Sequence, residues 1–365
     1  MINLQFFPSK RIAWYMARMF LMRSLAVLAA LVVILQTLDL LGETGKILAH
    51  PGNGDAELWR YVSLRLPQLI SRFTPFAVLL GTLITLATLN QNSEVVSMKA
   101  AGISAHQIIA PLILASLGLA ALSFAFNERV VTRATDTLSS WQEVDYGIVP
   151  RDNGIRPNVS VRWGDDLIFV KQVVGTGRAT QLRGVTIYDR QGETLKRIVS
   201  ADRGLRQGRA WRLDRVTRFD VDAGAQTTTP GLLYGQGLDP DQFTLAKVHA
   251  DEQDFRTLGA SIRELKLSGR ATSELESGLW HKISGPLAVI LMPLLGAVAA
   301  FGLARSGQLF IRAVIGMALG FAYFVADNFA LAMGNLGAYP PLVAAWAPFL
   351  LFLLIGETVL IRTEE

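Results

Sequence analysis

The sequence predicts an α-helical membrane protein with six transmembrane helices and an all-β, jelly-roll-like domain inserted between the third and fourth. Three observations predict it. Of 365 residues, 51% are hydrophobic and 18% charged, against about 25% charged in an average soluble domain. Six stretches are long and apolar enough for a bilayer core of about 30 Å, which takes about 20 helical residues. A long polar segment patterned as short strands separates the first three from the last three. The mean hydropathy of +0.34 is too high for a typical water-soluble enzyme and too low for a chain embedded throughout, so lipid-facing and aqueous parts must alternate.

The spans are Ser24 to Leu41, Leu69 to Leu89, Ile108 to Phe126, Ile283 to Leu303, Leu309 to Ala332 and Leu342 to Leu360. The first starts well inside the chain, has no small-residue cleavage site after it and is long enough to span, so it reads as an anchor. Trp14 to Phe20 interleaves Trp14, Tyr15 and Phe20 with basic residues, which predicts an interfacial lead-in along the headgroups before the chain turns inward. Lys10, Arg11, Arg18 and Arg23 precede the first span, Arg305 and Arg312 follow the fourth, and Arg362 is in the tail. All fall on one side, and the 334–341 loop on the other side carries no charge, so both termini are expected in the cytoplasm.

The aqueous segment, 127–281, is then outside the cytoplasm. Val159 to Trp163 and Leu167 to Val170 flank Gly164-Asp165-Asp166, while Val185 to Tyr188 turns into Thr194 to Val199. Ala210 to Val221 alternates apolar and polar residues, as a strand with one buried face does. Short strands with Gly-rich turns suggest a small sandwich or jelly roll. From Thr257 the period lengthens, and a helix is expected to Leu267. The expected units are 1–126, 127–281 and 282–365.

Composition excludes several chemistries. There are no cysteines, hence no disulfides, thiolate metal sites or cysteine nucleophiles. The only Gly-Lys pair, Gly45-Lys46, is followed by Ile47 and lacks the upstream glycine of a phosphate-binding loop. Four scattered histidines make no H-E-x-x-H pair. No cofactor is expected on this chain. The net charge of +5 suits anionic lipid or nucleic acid, but no long basic block stands out.

Three constellations remain. The turn 90–102 joins Asn92 or Ser93 as a cap, Glu94 in a first helical turn and Gly102 as a stop. It reads either as a surface turn helix or as a docking knob that shows Val95, Met98 and Ala101 to a cytoplasmic partner, with Glu94 pairing to a basic residue there. Arg65 and Arg72, seven apart, share a helix face near Asp39, and Asp327 with Asn328 occupies the same half of the fifth span. These charges form an Arg72–Asp39 ion pair, or snorkel to the interface, or make a phosphate-binding rim for an amphiphile headgroup. Gly316 and Gly320 form a GxxxG in the fifth span, suited to packing within the subunit, to a partner subunit or to a gate.

With these features assembled, the chain resembles the LptF/LptG family of lipopolysaccharide-export permease subunits, its LptG side the nearer. The resemblance covers nearly the whole chain. It rests on Ser93 to Gly102, on the re-entry Leu279 to Leu287, and on Gly320 to Asn328 followed by Tyr339-Pro340-Pro341. It implies a half-transporter that extracts lipopolysaccharide from the outer leaflet of the inner membrane. The implied partners are an LptF-like permease subunit, an LptB-like cytoplasmic ATPase dimer that binds ATP and Mg, a single-span LptC-like partner and an LptA-like periplasmic bridge.

The same resemblance implies that Glu94, Val95, Met98 and Ala101 form the ATPase-coupling helix. The first and fifth spans would be lateral gates, with Gln36, Asp39, Gly316, Gly320 and Asp327 at the cavity or gate. Members of the family can carry lysines in and just after the first span, where this chain has Gln36, Gly42 and Glu43, so headgroup contact shifts to Lys46, Arg65 and Arg72. Two other readings stand beside it: a membrane-anchored sensor or adaptor with a β binding domain, and an intramembrane enzyme, which the missing motifs disfavour.

Overall fold

We describe the chain from a computed structural model, which covers residues 9–147, 155–175, 179–191, 194–244, 249–267, 271–302 and 309–362. Arg305, used above for orientation, lies outside them. The chain divides into a helical unit, residues 1–148, 250–259 and 272–365, and a β unit, residues 149–249 and 260–271. Among the described residues, six helices in the helical unit are long and apolar enough to cross a membrane.

The first helices outrun a bilayer. Helix α1, Lys10–Ala49, has 40 residues and α2, Asp55–Gln91, has 37, about 55–60 Å each at 1.5 Å per residue. Ser9 caps α1 by accepting a hydrogen bond from the Arg11 amide at 3.3 Å. Trp14 to Phe20 therefore forms opening turns of the same helix as the first span, and the turn inward expected after Phe20 does not occur. Helix α3 is Glu94–Ala100 and α4 is Ala105–Phe126. Residues 127–131 form one π turn that leads directly into α5, Thr132–Gln142, so the third-span helix runs well past residue 126. After the short α6, Asp241–Thr244, and α7, Phe255–Leu267, α8, Ser273–Ala297, likewise begins before residue 282. Helices α9, Leu309–Asn335, and α10, Pro341–Arg362, complete the unit.

Helix α2 is the hub of this bundle because small residues bring three neighbours close. A Cβ on Gly81 of α2 would overlap Ser24 of α1, and one on Gly296 of α8 would meet Thr82 at 2.7 Å. One on Gly316 of α9 would meet Leu83 at 2.7 Å, and one on Gly320 would overlap Leu79. Close approach of this kind replaces a hydrophobic driving force that lipid does not supply.

In the β unit, strands β1 Ile155–Trp163, β2 Asp166–Val174, β3 Gln181–Gln191, β4 Thr194–Gln207, β5 Ala210–Asp220 and β6 Ala225–Tyr234 pair consecutively and antiparallel. The domain is β as expected, but its strands form a meander, without the crossovers of a jelly roll. The two-residue turns Gly164-Asp165 and Gly208-Arg209, with the glycines at φ 63° and 66°, join β1 to β2 and β4 to β5, and each strand's neighbour in the sheet is its neighbour in sequence.

One line of broken pairing crosses the sheet. Asn158, Lys171, Gly184, Asp202, Arg215 and Pro230 fall at a single register level, and none is paired across the ladder. Gly184 and Arg215 have φ of 65° and 54° there. The alternation inverts at this level: Ile168 and Val170 are buried before it and Val173 after it, and Trp211 and Leu213 before it and Val216 after it. The sheet bends while one face stays apolar. The regular alternation expected from Ala210 to Val221 thus holds only in two pieces. Tyr234 of β6 donates to Asp166 Oδ2 at the start of β2 at 2.5 Å, which ties together strands that are not neighbours in the sheet and shows how far it curls. Trp211, buried inside, donates to the Leu238 carbonyl at 2.9 Å and stacks edge-on against Phe243. Burial and the Asp166 carboxylate push the Tyr234 hydroxyl well above the usual phenol range.

Candidate functional site

A cavity of about 540 Å³ lies among α2, the π turn with α5, α8 and α9. It is chemically graded. Arg65, Gln68 and Arg72, with His281, Lys282 and Asp327, line it near the end of the bundle opposite α3; Phe76, Val289 and Met292 line it one to three turns deeper. An amphiphile has the same division of polar and apolar parts.

Most of these charges already have partners. Lys282 Nζ, almost fully buried, donates to Glu128 Oε1 at 3.2 Å. Glu128 Oε2 accepts the Phe255 amide at 2.6 Å. This carboxylate sits in the π turn. His281 Nε2 lies 3.0 Å from Asp327 Oδ2. Sequence reasoning missed the Glu128–Lys282 pair; its only signal was a charge at the end of each of two apolar runs 154 positions apart.

Of the expected headgroup rim, two members are engaged elsewhere. Arg65 makes a bidentate pair with Asp39, Nε to Oδ2 at 3.1 Å and Nη2 to Oδ1 at 3.0 Å, and donates to Gln68 at 2.6 Å. Tyr61 donates to the same Asp39 carboxylate at 2.5 Å. Lys46 is held by Glu43 at 2.9 Å and does not line the cavity. The Arg72–Asp39 pair considered from sequence is absent, since Asp39 meets the arginine two turns earlier. Arg72 is exposed and has no ion-pair partner among the described residues.

The polar clamp at this end is broader than expected. Tyr146 donates to Glu43 Oε2 at 2.7 Å, and Asn53 donates to the carbonyls of Ile47 and Tyr146 at 2.8 and 2.9 Å. Ile47, Tyr61, Leu138, Trp141 and Tyr146 form a small core beneath. Burial pushes the Tyr146 hydroxyl up to about 12, with Glu43 adding to the shift and Gln142 opposing it.

The remaining gate candidates divide. Asp327 and Gly320 line the cavity, while Gln36, Asp39 and Gly316 do not. Gln36 is buried, and among the described residues neither of its amide atoms has a hydrogen-bond partner. Gly316 fits against Leu83 and Ala299, so its small size serves packing within the chain.

At the other end, α3 is short and firmly seated. Ser93 precedes it in the left-handed region at φ 59°, and Gly102 at φ 81° ends it, with the Ile103 amide reaching back to the Met98 carbonyl at 3.1 Å. Glu94 Oε1 accepts from Tyr15 at 3.4 Å and Asn92 at 3.3 Å. The structure corrects the expected docking face. Val95 and Met98 are buried in the bundle core, because their three-residue spacing turns them together towards the bundle. Val96, Ser97, Ala100 and Ala101 are the exposed residues beside Glu94 and Lys99.

The sequence model of the Lipopolysaccharide export system permease LptF/LptG family matches residues 14–362. The chain is 26% identical over 353 residues to the lipopolysaccharide export system permease protein LptG of Escherichia coli strain K12, covering 94% of each. It is 26% identical over 326 residues to the protein of that name in Haemophilus influenzae, covering 86% of this chain and 89% of that one. With a match from the first turns of α1 to the end of α10, a graded cavity and a six-span bundle, the chain belongs to the LptF/LptG family of lipopolysaccharide export permeases.

Proposed function

We propose that this chain is the permease half of an ATP-driven exporter that takes lipopolysaccharide from the outer leaflet of the inner membrane and hands it to a periplasmic bridge. The observation that carries the proposal is the graded cavity of a family member: Arg72, exposed and unpaired among the described residues, stands above apolar walls. A guanidinium suits bidentate contact with a headgroup phosphate. Both termini lie in the cytoplasm and the β unit in the periplasm. A related permease subunit closes the cavity, and a single-span partner and a bridge protein continue the path.

The motor is separate. A cytoplasmic ATPase dimer, holding ATP and Mg, docks on α3 through Glu94 and the exposed row Val96, Ala100 and Ala101. ATPase closure pushes α3, tilts the bundle and narrows the cavity. Each acyl CH₂ moved into water costs about 0.8 kcal/mol, so the lipid slides along apolar surface from bundle to β unit.

The test is purification of the tagged chain from its native membrane, with Glu94→Lys as the comparison. Co-purification of an ATPase with the wild type, its loss with Glu94→Lys, and retention of glycolipid in the inner membrane on depletion are expected. An isolated chain, with no ATPase and no stranded glycolipid, would return the sensor or adaptor reading.

A further inference from the structure

The line along which the sheet bends carries a concentration of uncompensated positive charge. Arg183 of β3 and Arg203 of β4 are direct partners in the antiparallel register. Their neighbours Leu182 and Gly204 are buried and they are exposed, so both guanidinium groups leave the same outer face. Lys171, also exposed, stands one position away on β2. Its aliphatic stem crosses the space that a side chain at Gly184 would fill, with Cδ 2.8 Å from that Cβ position. Glycine at 184 therefore lets the lysine lie over β3 beside Arg183.

Asp214 of β5 stands opposite Arg203 on its other side, but the acids near this group are engaged by other arginines. Asp202 is held by Arg215 at 3.0 Å, and Asp214 by Arg212 at 3.4 Å. Among the described residues Lys171, Arg183 and Arg203 have no ion-pair partner. Like charges directly opposite on a sheet destabilise it, so the fold bears a cost that a bound anion would remove.

We propose that Lys171, Arg183 and Arg203 form a phosphate-binding site on the outer face of the β unit. Two forked donors and one ammonium on three adjacent strands match a group with about two negative charges and three acceptor oxygens, as a phosphate has, better than a single carboxylate. The site is separate from the bundle cavity and stands whether or not the cavity takes lipopolysaccharide.

The test is hydrogen exchange of the β3 and β4 amides in the full chain, in phosphatidylcholine nanodiscs, across a titration with inorganic phosphate at constant ionic strength. Phosphate is expected to protect the wild type. Arg183→Gln or Arg203→Gln should weaken its apparent affinity roughly tenfold each, a loss of about 1.4 kcal/mol, without lowering the melting temperature in chloride. Lys171→Gln serves if either arginine variant fails to fold, and Arg162→Gln, on β1, should behave as wild type.

Nanodiscs containing phosphatidylglycerol distinguish the source. Protection there without added phosphate assigns the site to a lipid headgroup. Protection by free phosphate alone assigns it to a soluble or sugar-borne phosphate. Equal protection of wild type and arginine variants, or protection by polyglutamate but by neither phosphate source, would overturn the proposal.

Discussion

Arg65 grips Asp39 through two parallel hydrogen bonds of 3.1 and 3.0 Å, joining α2 to α1. With Tyr61 on the same carboxylate and Gln68 reaching Thr135 of α5 at 3.2 Å, three helices are fastened at one end. Removing one member leaves polar groups unpaired at a half-buried site. Arg65→Ala is therefore expected to cost about 1–3 kcal/mol, read as a lower melting temperature in detergent. Asp39→Asn, which keeps the shape, should cost less. A wild-type melting temperature for Arg65→Ala would show that the pair contributes nothing to stability.

Arg72 predicts the opposite profile. It is exposed, and no partner among the described residues would be orphaned by its loss. Surface changes of that kind usually stay within about 0.5 kcal/mol. Arg72→Ala should leave the melting temperature unchanged while lowering lipopolysaccharide-stimulated ATPase activity of the reconstituted complex. If both fall together, Arg72 is a structural residue.

In the proposed function, α3 with its C-cap Ala101 separates docking from packing within eight residues. Met98→Ala and Val95→Asp strike the core cluster and should destabilise the chain, the first by about 2–5 kcal/mol at full burial. Val96→Glu and Ala101→Glu alter only exposed positions. They should leave thermal stability intact while reducing the ATPase recovered with the chain on affinity purification. The reverse assignment would restore Val95 and Met98 as the docking face.

The contrast between these positions marks what the sequence made legible. Hydropathy alone found all six spans, since twenty consecutive apolar residues have few other uses, and Gly102 marked the end of α3, whereas the expected side-chain cap from Asn92 or Ser93 is not made. Facing was less legible. Seven residues make barely two turns, too few for a hydrophobic stripe to say which side meets the bundle, and Val95 and Val96 are equally apolar. In the β unit, period-two patterning finds strands but assumes an unbroken pleat. The inversion at Gly184 and Arg215 breaks that assumption. Arg65 and Glu128 show a further limit: composition reveals that a charge near a span needs a partner, but the choice between Asp39 and another acid depends on the relative height of two helices.

Close packing around α2 gives another expectation. A Cβ on Gly320 would overlap Leu79, and one on Gly81 would overlap the Ser24 backbone. The Leu79 contact is with the end of a flexible side chain and can yield; the Ser24 contact includes main-chain atoms and cannot without moving α1. Overpacking costs about 1–3 kcal/mol, occasionally more. Gly81→Val should therefore lower the melting temperature more than Gly320→Ala does. Equal effects would mean that α1 adjusts as readily as a leucine.

Asp254 gives an acid-side prediction outside the membrane. Its Oδ1 accepts the Thr257 amide at 2.7 Å, capping α7, Phe255–Leu267. That hydrogen bond from the Thr257 amide holds the carboxyl below its ordinary value, with the Thr257 side chain adding to the effect. A carboxylate whose affinity for protons falls on folding stabilises the folded state above its unfolded value, near 3.8, and loses that contribution as pH drops towards the lower folded value. Replacing Asp254 by Ala removes the cap at a cost of about 1 kcal/mol at neutral pH. The gap between wild type and Asp254→Ala should then narrow as pH falls below 4, while Asp254→Asn, which still caps but does not titrate, should show a flatter response. Exchange rates of the α7 amides across pH 3–7 read this directly, and a pH-independent gap would remove the carboxylate from any role in holding that helix end.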